Sequence, residues 1–535
     1  MLPLIFVFAC LNAQDITPGK NYFYYKRYLS AENFFHSYLR QQPASGEAWL
    51  WLVKSYAKQQ KVQAIDDTLK MIQPPLQEDP YVLIAKGLQS LVDTSNNNNG
   101  REYFNKAIEI TRGKNIEIIL QAAKAQAYGN TGDIDYGIDL LQRNLKKNRG
   151  NIALYVTMGN LYLAKHEGTE AYKAYRDAIE KDRRYAEAYY QMGKIFLSQK
   201  NEEMYLDFFK KAVAADAKYA PAWYELYSHY RFSEPVTAMK YLQQYVQTAD
   251  PSITQDYANA DLLYLSKDYA SAIEAAKKLI IKAGDKVQPR MYKLMAYSHA
   301  ELKDTLEAIK NMTDYLRLEE DSNFIAKDFE TMASFYSSIP AKEDSVISFY
   351  RKAVSISQDS SDIRRYYKEL ATLSNSQEDF AAEAEWRGKY YENNIEAKNI
   401  DLFNWGLASY RAENYNLADS VFGLYTEKYP DQGFGYYWRA RSNAAIDTSL
   451  TLGLAIPYYQ KLVYMIAGDT TSSTNKKWLL EAYNYLAAWE TNAEKDYSEA
   501  IGYFNKILEL DPDNSTAKKY AEMLEENLKK NGEGN

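Results

Sequence analysis

Side chains that could ligate a metal or attack an electrophile are scarce in this sequence. Histidine occurs only at His36, His166, His229 and His299, far apart along the chain, and Cys10 is the single cysteine. HExxH zinc motifs, phosphate-cradling GxxxxGK[ST] loops, GxSxG nucleophile elbows and dinucleotide fingerprints are all absent. One cysteine allows neither an intramolecular disulfide nor a thiolate metal site. The acidic pairs Glu319-Glu320 and Glu525-Glu526 sit among other charges and read as solvated helix faces. These residues imply no metal, no cofactor and no catalysis.

What the sequence does carry is a period. Tyr155, Tyr189 and Trp223 are 34 residues apart, as are Met158, Met192 and Leu226, then Gly159, Gly193 and Tyr227, then Tyr162, Phe196 and Tyr230. A spacing this regular marks one supersecondary unit copied in tandem. Within each copy a second apolar series follows, Ala171, Tyr175 and Ala178 and again Tyr205, Phe209 and Ala212, at steps of three and four. Each copy therefore holds two amphipathic helices. A single copy cannot bury its own aromatics, so the copies must stack.

This pattern resembles the tetratricopeptide repeat, which has an aromatic at position 4, Leu at 7, Gly or Ala at 8, Tyr at 11, Ala at 20, Phe or Tyr at 24, Ala at 27 and often Pro at 32. The resemblance is sharpest over 152–250 and extends, more weakly, over nearly the whole chain. It implies an all-α fold, a right-handed superhelical solenoid of stacked antiparallel helix pairs with about fourteen repeats and a C-terminal capping helix. The small residue at 8 is expected to let the first helix approach the small residue at 20 on the second.

Taken in order, residues 2–11 (LPLIFVFACL) form an apolar run too short to span a bilayer and followed by NAQD, as in an export signal. The usual positive residues ahead of such a run are missing, which suggests a start upstream of Met1. Cleavage after Ala13 would leave Gln14 first, a pattern similar to exported proteins of Bacteroidetes-type bacteria. Alternatively, Val7-Phe8-Ala9-Cys10 resembles a lipobox, with Cys10 lipidated and tethered to the outer membrane. The divisions are then 1–13, the export signal segment; 14–250, an N-terminal repeat array; 251–395, degenerate repeats; 396–514, a C-terminal array; and 515–535, the capping helix and tail.

Thr17-Pro18 is expected to open the first helix, with Thr as its cap. Asn96–Gly100 is expected to be a polar turn. In the capping helix, Ala517, Tyr520, Met523, Leu524 and Leu528 form the apolar stripe. Asp67-Thr68-Leu69, Asp304-Thr305-Leu306, Asp344-Ser345-Val346, Asp419-Ser420-Val421 and Asp469-Thr470-Thr471 look like O-glycosylation acceptors of exported Bacteroidetes proteins, but as helix caps they need no modification.

The 535 residues carry a net charge of −7, with Lys and Arg interspersed among Asp and Glu, which argues against nucleic acid as a partner. Tyrosine is abundant, 50 residues against 19 Phe. That excess serves packing between helices or lines a groove, where a phenol gives contact area and a hydroxyl together.

The family resemblance implies that partners bind on the concave surface of the first helices, at positions 2, 5, 6, 9, 12 and 13. In the three regular copies these positions include Asn160, then Tyr190, Gln191 and Lys194, then Tyr224, Glu225, Ser228 and Arg231. The family's clamp for chaperone tails needs Lys, Asn, Lys and Arg at the positions held here by Val156, Gln191, Pro221 and Glu225, so that role is disfavoured. The expected function is a non-catalytic protein–protein interaction scaffold of the bacterial cell envelope, in the periplasm or on the periplasmic face of the outer membrane. It would bind peptide or helical segments. The alternative is a carrier of carbohydrate or peptidoglycan fragments, stacked on the Tyr-rich concave face.

Overall fold

The computed structural model describes residues 15–93, 100–128 and 131–532. The expected export segment with Cys10, residues 96–99 of the asparagine run and the end of the tail lie outside them. Among the described residues there are twenty-nine α-helices and no strands. No helix is long and apolar enough to cross a membrane.

The chain divides into two compact units, 1–302 and 303–535. Unit 1 contains α1 (Thr17–Tyr24), α2 (Tyr28–Gln41), α3 (Gly46–Lys58), α4 (Val62–Lys70), α5 (Pro80–Val92), α6 (Gly100–Ile110), α7 (Ile116–Ala125), α8 (Ile134–Leu145) and α9 (Ile152–Ala164). It continues through α10 (Gly168–Lys181), α11 (Ala186–Ser198), α12 (Glu202–Ala215), α13 (Ala220–Tyr230), α14 (Pro235–Thr248), α15 (Ile253–Leu265), α16 (Tyr269–Ala283) and α17 (Arg290–Glu301).

Unit 2 contains α18 (Thr305–Leu318), α19 (Ala326–Ser337), α20 (Glu343–Ile356), α21 (Ser360–Ser376), α22 (Phe380–Glu392) and α23 (Asn399–Arg411). It ends with α24 (Tyr415–Lys428), α25 (Gly433–Ile446), α26 (Ile456–Ile466), α27 (Ser473–Trp489), α28 (Tyr497–Leu510) and α29 (Ser515–Gly532). Inside each unit, successive helices pack as antiparallel pairs and each pair stacks on the next.

Within a pair the contact differs from the one expected. The glycine of the first helix is covered by an aromatic ring from the second helix, not by its small residue. A Cβ on Gly159 would lie 2.5 Å from the Tyr175 ring, and one on Gly193 would lie 2.5 Å from the Phe209 ring. The same seat recurs where Phe422 covers Gly406. Tyr175, Phe209 and Phe422 are among the largest fully buried side chains, each contributing on the order of 2 kcal/mol of apolar burial. The alanine one turn earlier, such as Ala171 or Ala418, is also fully buried.

Turns inside the pairs share a device too. Gln60, His166, Lys200, Lys267, Glu378 and Glu413 all have positive φ there, the left-handed conformation that reverses the chain in a few residues at some steric cost.

Several local expectations need correction. The first turn of α1 is held by Asp15, whose carboxylate accepts from Thr17 N–H at 2.9 Å; Thr17 is already helical and does not cap. Of the five Asp-Ser/Thr pairs, Asp304 caps α18. Asp67-Thr68 and Asp419-Ser420 lie inside α4 and α24, Asp344-Ser345 sits in the first turn of α20, and Asp469 accepts from Thr471 in a turn. In α29 the core-facing set is Ala517, Ala521 and Leu524, while Tyr520, Met523 and Leu528 are exposed. Tyr520 still stacks on Phe504, centroids 5.8 Å apart. Gly100, expected in a polar turn, opens α6 and is buried.

Because the Phe209 ring has no room to retreat, Gly193→Val should destabilise the chain by about 1–3 kcal/mol by overpacking. Urea unfolding followed by circular dichroism checks this; an unchanged midpoint would show that the ring seat is not tight.

Candidate functional site: a closed ring around a lysine-lined cavity

The first helix pair does not stop at its neighbour in sequence. The turn between α1 and α2 reaches the sixth and seventh pairs of unit 1. Tyr24 packs its ring against Tyr185 and Tyr219, with centroids 5.8 and 5.5 Å away. Tyr25 donates its hydroxyl to Asp216 at 2.9 Å, and Lys26 pairs with Glu187 at 3.1 Å.

Asp250, after α14, closes the ring. It accepts from Leu29 N–H at 2.8 Å and Ser30 Oγ–H at 2.5 Å, and lies 3.5 Å from Arg27 Nε. Since Arg27 at the N-cap of α2 supplies no side-chain cap, Asp250 caps α2 from 220 residues away in sequence. Its negative charge is also favoured at that helix end by the helix dipole.

The closed ring surrounds a cavity of about 610 Å³. Its wall is built by α1, α3, α7, α9, α11 and the start of α13, with the turns next to α1 and α7. Six lysines line it, Lys20, Lys26, Lys54, Lys58, Lys124 and Lys194, against one carboxylate, Glu187. Aromatic rings, among them Phe23, Trp51, Tyr128 and Tyr190, fill the space between them.

Three of the lysines are neutralised. Lys20 pairs with Glu47 at 2.8 Å, Lys26 with Glu187, and Lys194 with Glu225 at 2.9 Å. Lys54, Lys58 and Lys124 form no ion pair with any described residue. Lys54 is 3% exposed. It donates to Gln121 Oε1 at 2.7 Å and lies 3.6 Å from the centre of the Trp51 ring; Lys58 lies 3.9 Å above Tyr128. Burial, aided by the charge of Lys124, holds the Lys54 ammonium well below the usual range. The surrounding protein and the charge of Lys26 pull Lys58, whose side chain still reaches solvent, down to about 8, and burial lowers Lys124. Thr157 Oγ1, also on the cavity wall, is buried without a hydrogen-bond partner.

The residues expected on the concave surface divide between this cavity and a neighbouring groove. Asn160, Tyr190, Gln191 and Lys194 line the cavity. Asn160 accepts from Tyr175 O–H at 2.6 Å, so its carbonyl is engaged from behind. Tyr190 packs on Phe209 and Tyr219 and donates to Glu225 at 3.4 Å; burial and then Glu225 raise its phenol above the usual range. Tyr224 is 45% exposed in the adjoining groove with Tyr25, Tyr245 and Asp250. Glu225 serves Lys194 and Tyr190, Ser228 lies on α13 away from both pockets, and Arg231 sits over Phe232 just beyond the helix.

Lys54, Lys58 and Lys124 were not singled out in the sequence. They fall in copies where the period is blurred, and the stacking of α3 beside α7 brings them together, Lys54 on Gln121 and Lys58 over Tyr128. The four histidines remain apart: His36 meets Tyr56, His229 accepts from or donates to Tyr205 at 2.8 Å, and His166 occupies a left-handed turn. Among the described residues no three His, Cys, Asp or Glu side chains gather as a metal site would need.

A tetratricopeptide repeat model matches residues 186–219 and 482–514, one segment in each unit. The chain thus carries tetratricopeptide repeats, and its other helix pairs follow the same alternation. Among solved structures it is similar to the C-terminal part of a TPR repeat-containing protein from Cytophaga hutchinsonii, at 28% identity over 49% of this chain and 98% of that one, with a TM-score of 0.30. A tetratricopeptide repeat protein from Parabacteroides merdae matches at 14% identity over 54% and 96%, with a TM-score of 0.22. YrrB, described as a TPR protein with an unusual peptide-binding site, matches at 18% over 34% and 93%, with a TM-score of 0.31. No curated protein sequence matches. Proteins built from this repeat generally serve as non-catalytic protein–protein interaction scaffolds.

Two outcomes test the ring. In Asp250→Ala, the amides of Leu29 and Ser30 should lose their acceptor and exchange hydrogen faster, while unit 2 keeps its protection; unchanged exchange at those amides would mean that Asp250 does not hold the closure. The second concerns pH. Lys58 titrates near 8 when folded against an ordinary 10.5, so between those values the unfolded chain binds more protons and stability rises with pH. Thermal midpoints should climb from about pH 8 to about pH 9.5, before tyrosine ionisation intervenes, and Lys58→Met should flatten the climb.

Proposed function

We propose that the chain is a non-catalytic scaffold of the bacterial cell envelope that holds a segment of a partner protein on the inner surface of its repeats. One observation carries this. A single surface in unit 1 is lined by the first helices of several successive pairs, α1, α3, α7, α9, α11 and α13, so each added pair extends the same face. Next to the cavity, Tyr224, Tyr245 and Pro221 give apolar contact and Asp250 and Lys26 give charge, a mixture suited to a peptide backbone with some side-chain selection.

The apolar residues 2–11 support export, to the periplasm or the periplasmic face of the outer membrane, with Cys10 as a tether if it is lipidated. Sugar stacking has weaker support. Tyr190, a ring it would use, is packed against Phe209 and Tyr219.

The test places a photoreactive phenylalanine at Tyr224, at Arg231 and, on the outer face, at Lys211. After irradiation of envelope fractions, mass spectrometry should find one protein segment attached at 224 and 231 and missing at 211. Equal labelling at all three positions, or none, removes the concave-surface scaffold.

A further inference from the structure

The lysine-lined cavity carries a charge that the protein itself does not balance. Of its six lysines, three are matched by Glu47, Glu187 and Glu225. Of the remaining three, Lys58 feels only Glu187, already paired with Lys26, while Lys54 and Lys124 lie near one further carboxylate, Glu117. Its charge acts on Lys54 and Lys124 while its oxygen accepts from Gln121 Nε2 at 2.6 Å. Fully protonated, the six lysines would exceed Glu47, Glu117, Glu187 and Glu225 by two charges, a state that burial disfavours while the cavity is empty. Uncompensated cations in a protein-walled site are costly, and an anion that replaces the missing counter-charge is bound strongly there.

Two further features narrow the ligand. Tyr24, Tyr28, Trp51 and Tyr128 set ring edges and faces around the lysines, and about 610 Å³ is room for a small molecule rather than a bare ion. A carboxylate supplies one negative charge, whereas a phosphomonoester supplies about 1.5 to 2 at neutral pH, on three acceptor oxygens.

We infer that the lysine-lined cavity on the inner surface of unit 1 binds a small phosphomonoester carried on a planar ring, with Lys54, Lys58 and Lys124 around the phosphate and the aromatic wall around the ring. The lysine-lined part of that inner surface is assigned to the small ligand and the neighbouring groove at Tyr224, which shares Lys26, Tyr190 and Pro221 with it, to the partner segment.

Phenyl phosphate is the probe, titrated calorimetrically into the full chain at neutral pH in two buffers of different ionisation enthalpy. Binding should saturate at one site per chain and take up protons, because the anion favours the charged form of lysines that the empty cavity disfavours. Inorganic phosphate should bind more weakly and benzyl alcohol not at all. Lys58→Gln and Lys124→Gln, both folded by circular dichroism, should each weaken binding about tenfold or more, while Lys211→Gln on the outer face should leave it unchanged.

Absence of saturable binding at low millimolar probe overturns the proposal, as does full affinity in both lysine variants. A capped acidic peptide that binds more tightly and displaces phenyl phosphate also overturns it and assigns the cavity to the protein partner. Photo-crosslinking at 224 and 231 does not depend on any of these results, so the two proposals fail separately.

Discussion

The packing of each pair depends on an aromatic ring from the second helix sitting on a glycine of the first. Without a Cβ, the first helix offers a flat seat, and the ring fills it so completely that Tyr175, Phe209 and Phe422 lose all contact with water. The seat sets how close the helices come and at what point along each. The residue that faces the next pair, such as Ala171 or Ala178, is fully buried in turn, so the geometry of one pair is transmitted to the stack. A solenoid built this way keeps its first helices on one face, and that face becomes the inner surface of the ring.

Stacking alone leaves the two ends of an array apart; closure needs a contact that the repeat does not encode. Here it is a carboxylate acting as a helix cap at long range. Asp250 takes the amides at the start of α2, which would otherwise face a non-capping Arg27. The tyrosines beside it add apolar area: Tyr219 keeps its hydroxyl buried without a partner, whereas Tyr25 gives its proton to Asp216, and burial raises its phenol to about 12, so it stays protonated as a donor across the physiological range. The excess of tyrosine over phenylalanine has a physical use at such a seam, where a ring must bury its body and satisfy its tip.

How much of this could be read from the sequence follows from which interactions are periodic. Helices α9 to α12 were legible because Gly159, Tyr175, Gly193 and Phe209 repeat at fixed spacing, and the two matched segments, 186–219 and 482–514, preserve the pattern best. The depth of Tyr520 or Met523 on α29 was not legible, since a terminal helix has a neighbour on one side only and its stripe is narrower than an interior one. Tyr190, Gln191 and Lys194 could be placed on the inner face by position alone. That Lys194 is spent on Glu225, and that Tyr190 is wedged between two rings, depended on partners 31 and 35 residues away in sequence for Glu225 and on α12 for Phe209.

The lysine cavity was beyond reach for a different reason. Lys54 and Lys124 stand in separate copies, on helices α3 and α7, and in a linear reading each is one basic residue among many in a chain of net charge −7. Their effect on each other exists because α3 packs beside α7, where Lys54 reaches Gln121, and burial there makes both charges costly in the free protein. The contacts that close the ring are themselves ionic, Lys26 with Glu187 and Arg27 with Asp250, and Lys26 also lines the cavity. An anion inside would ease the repulsion that the closed form carries and would therefore favour closure over opening. Occupancy and ring geometry are then linked, and by reciprocity whatever stabilises the seam tightens the cavity's hold on its ligand.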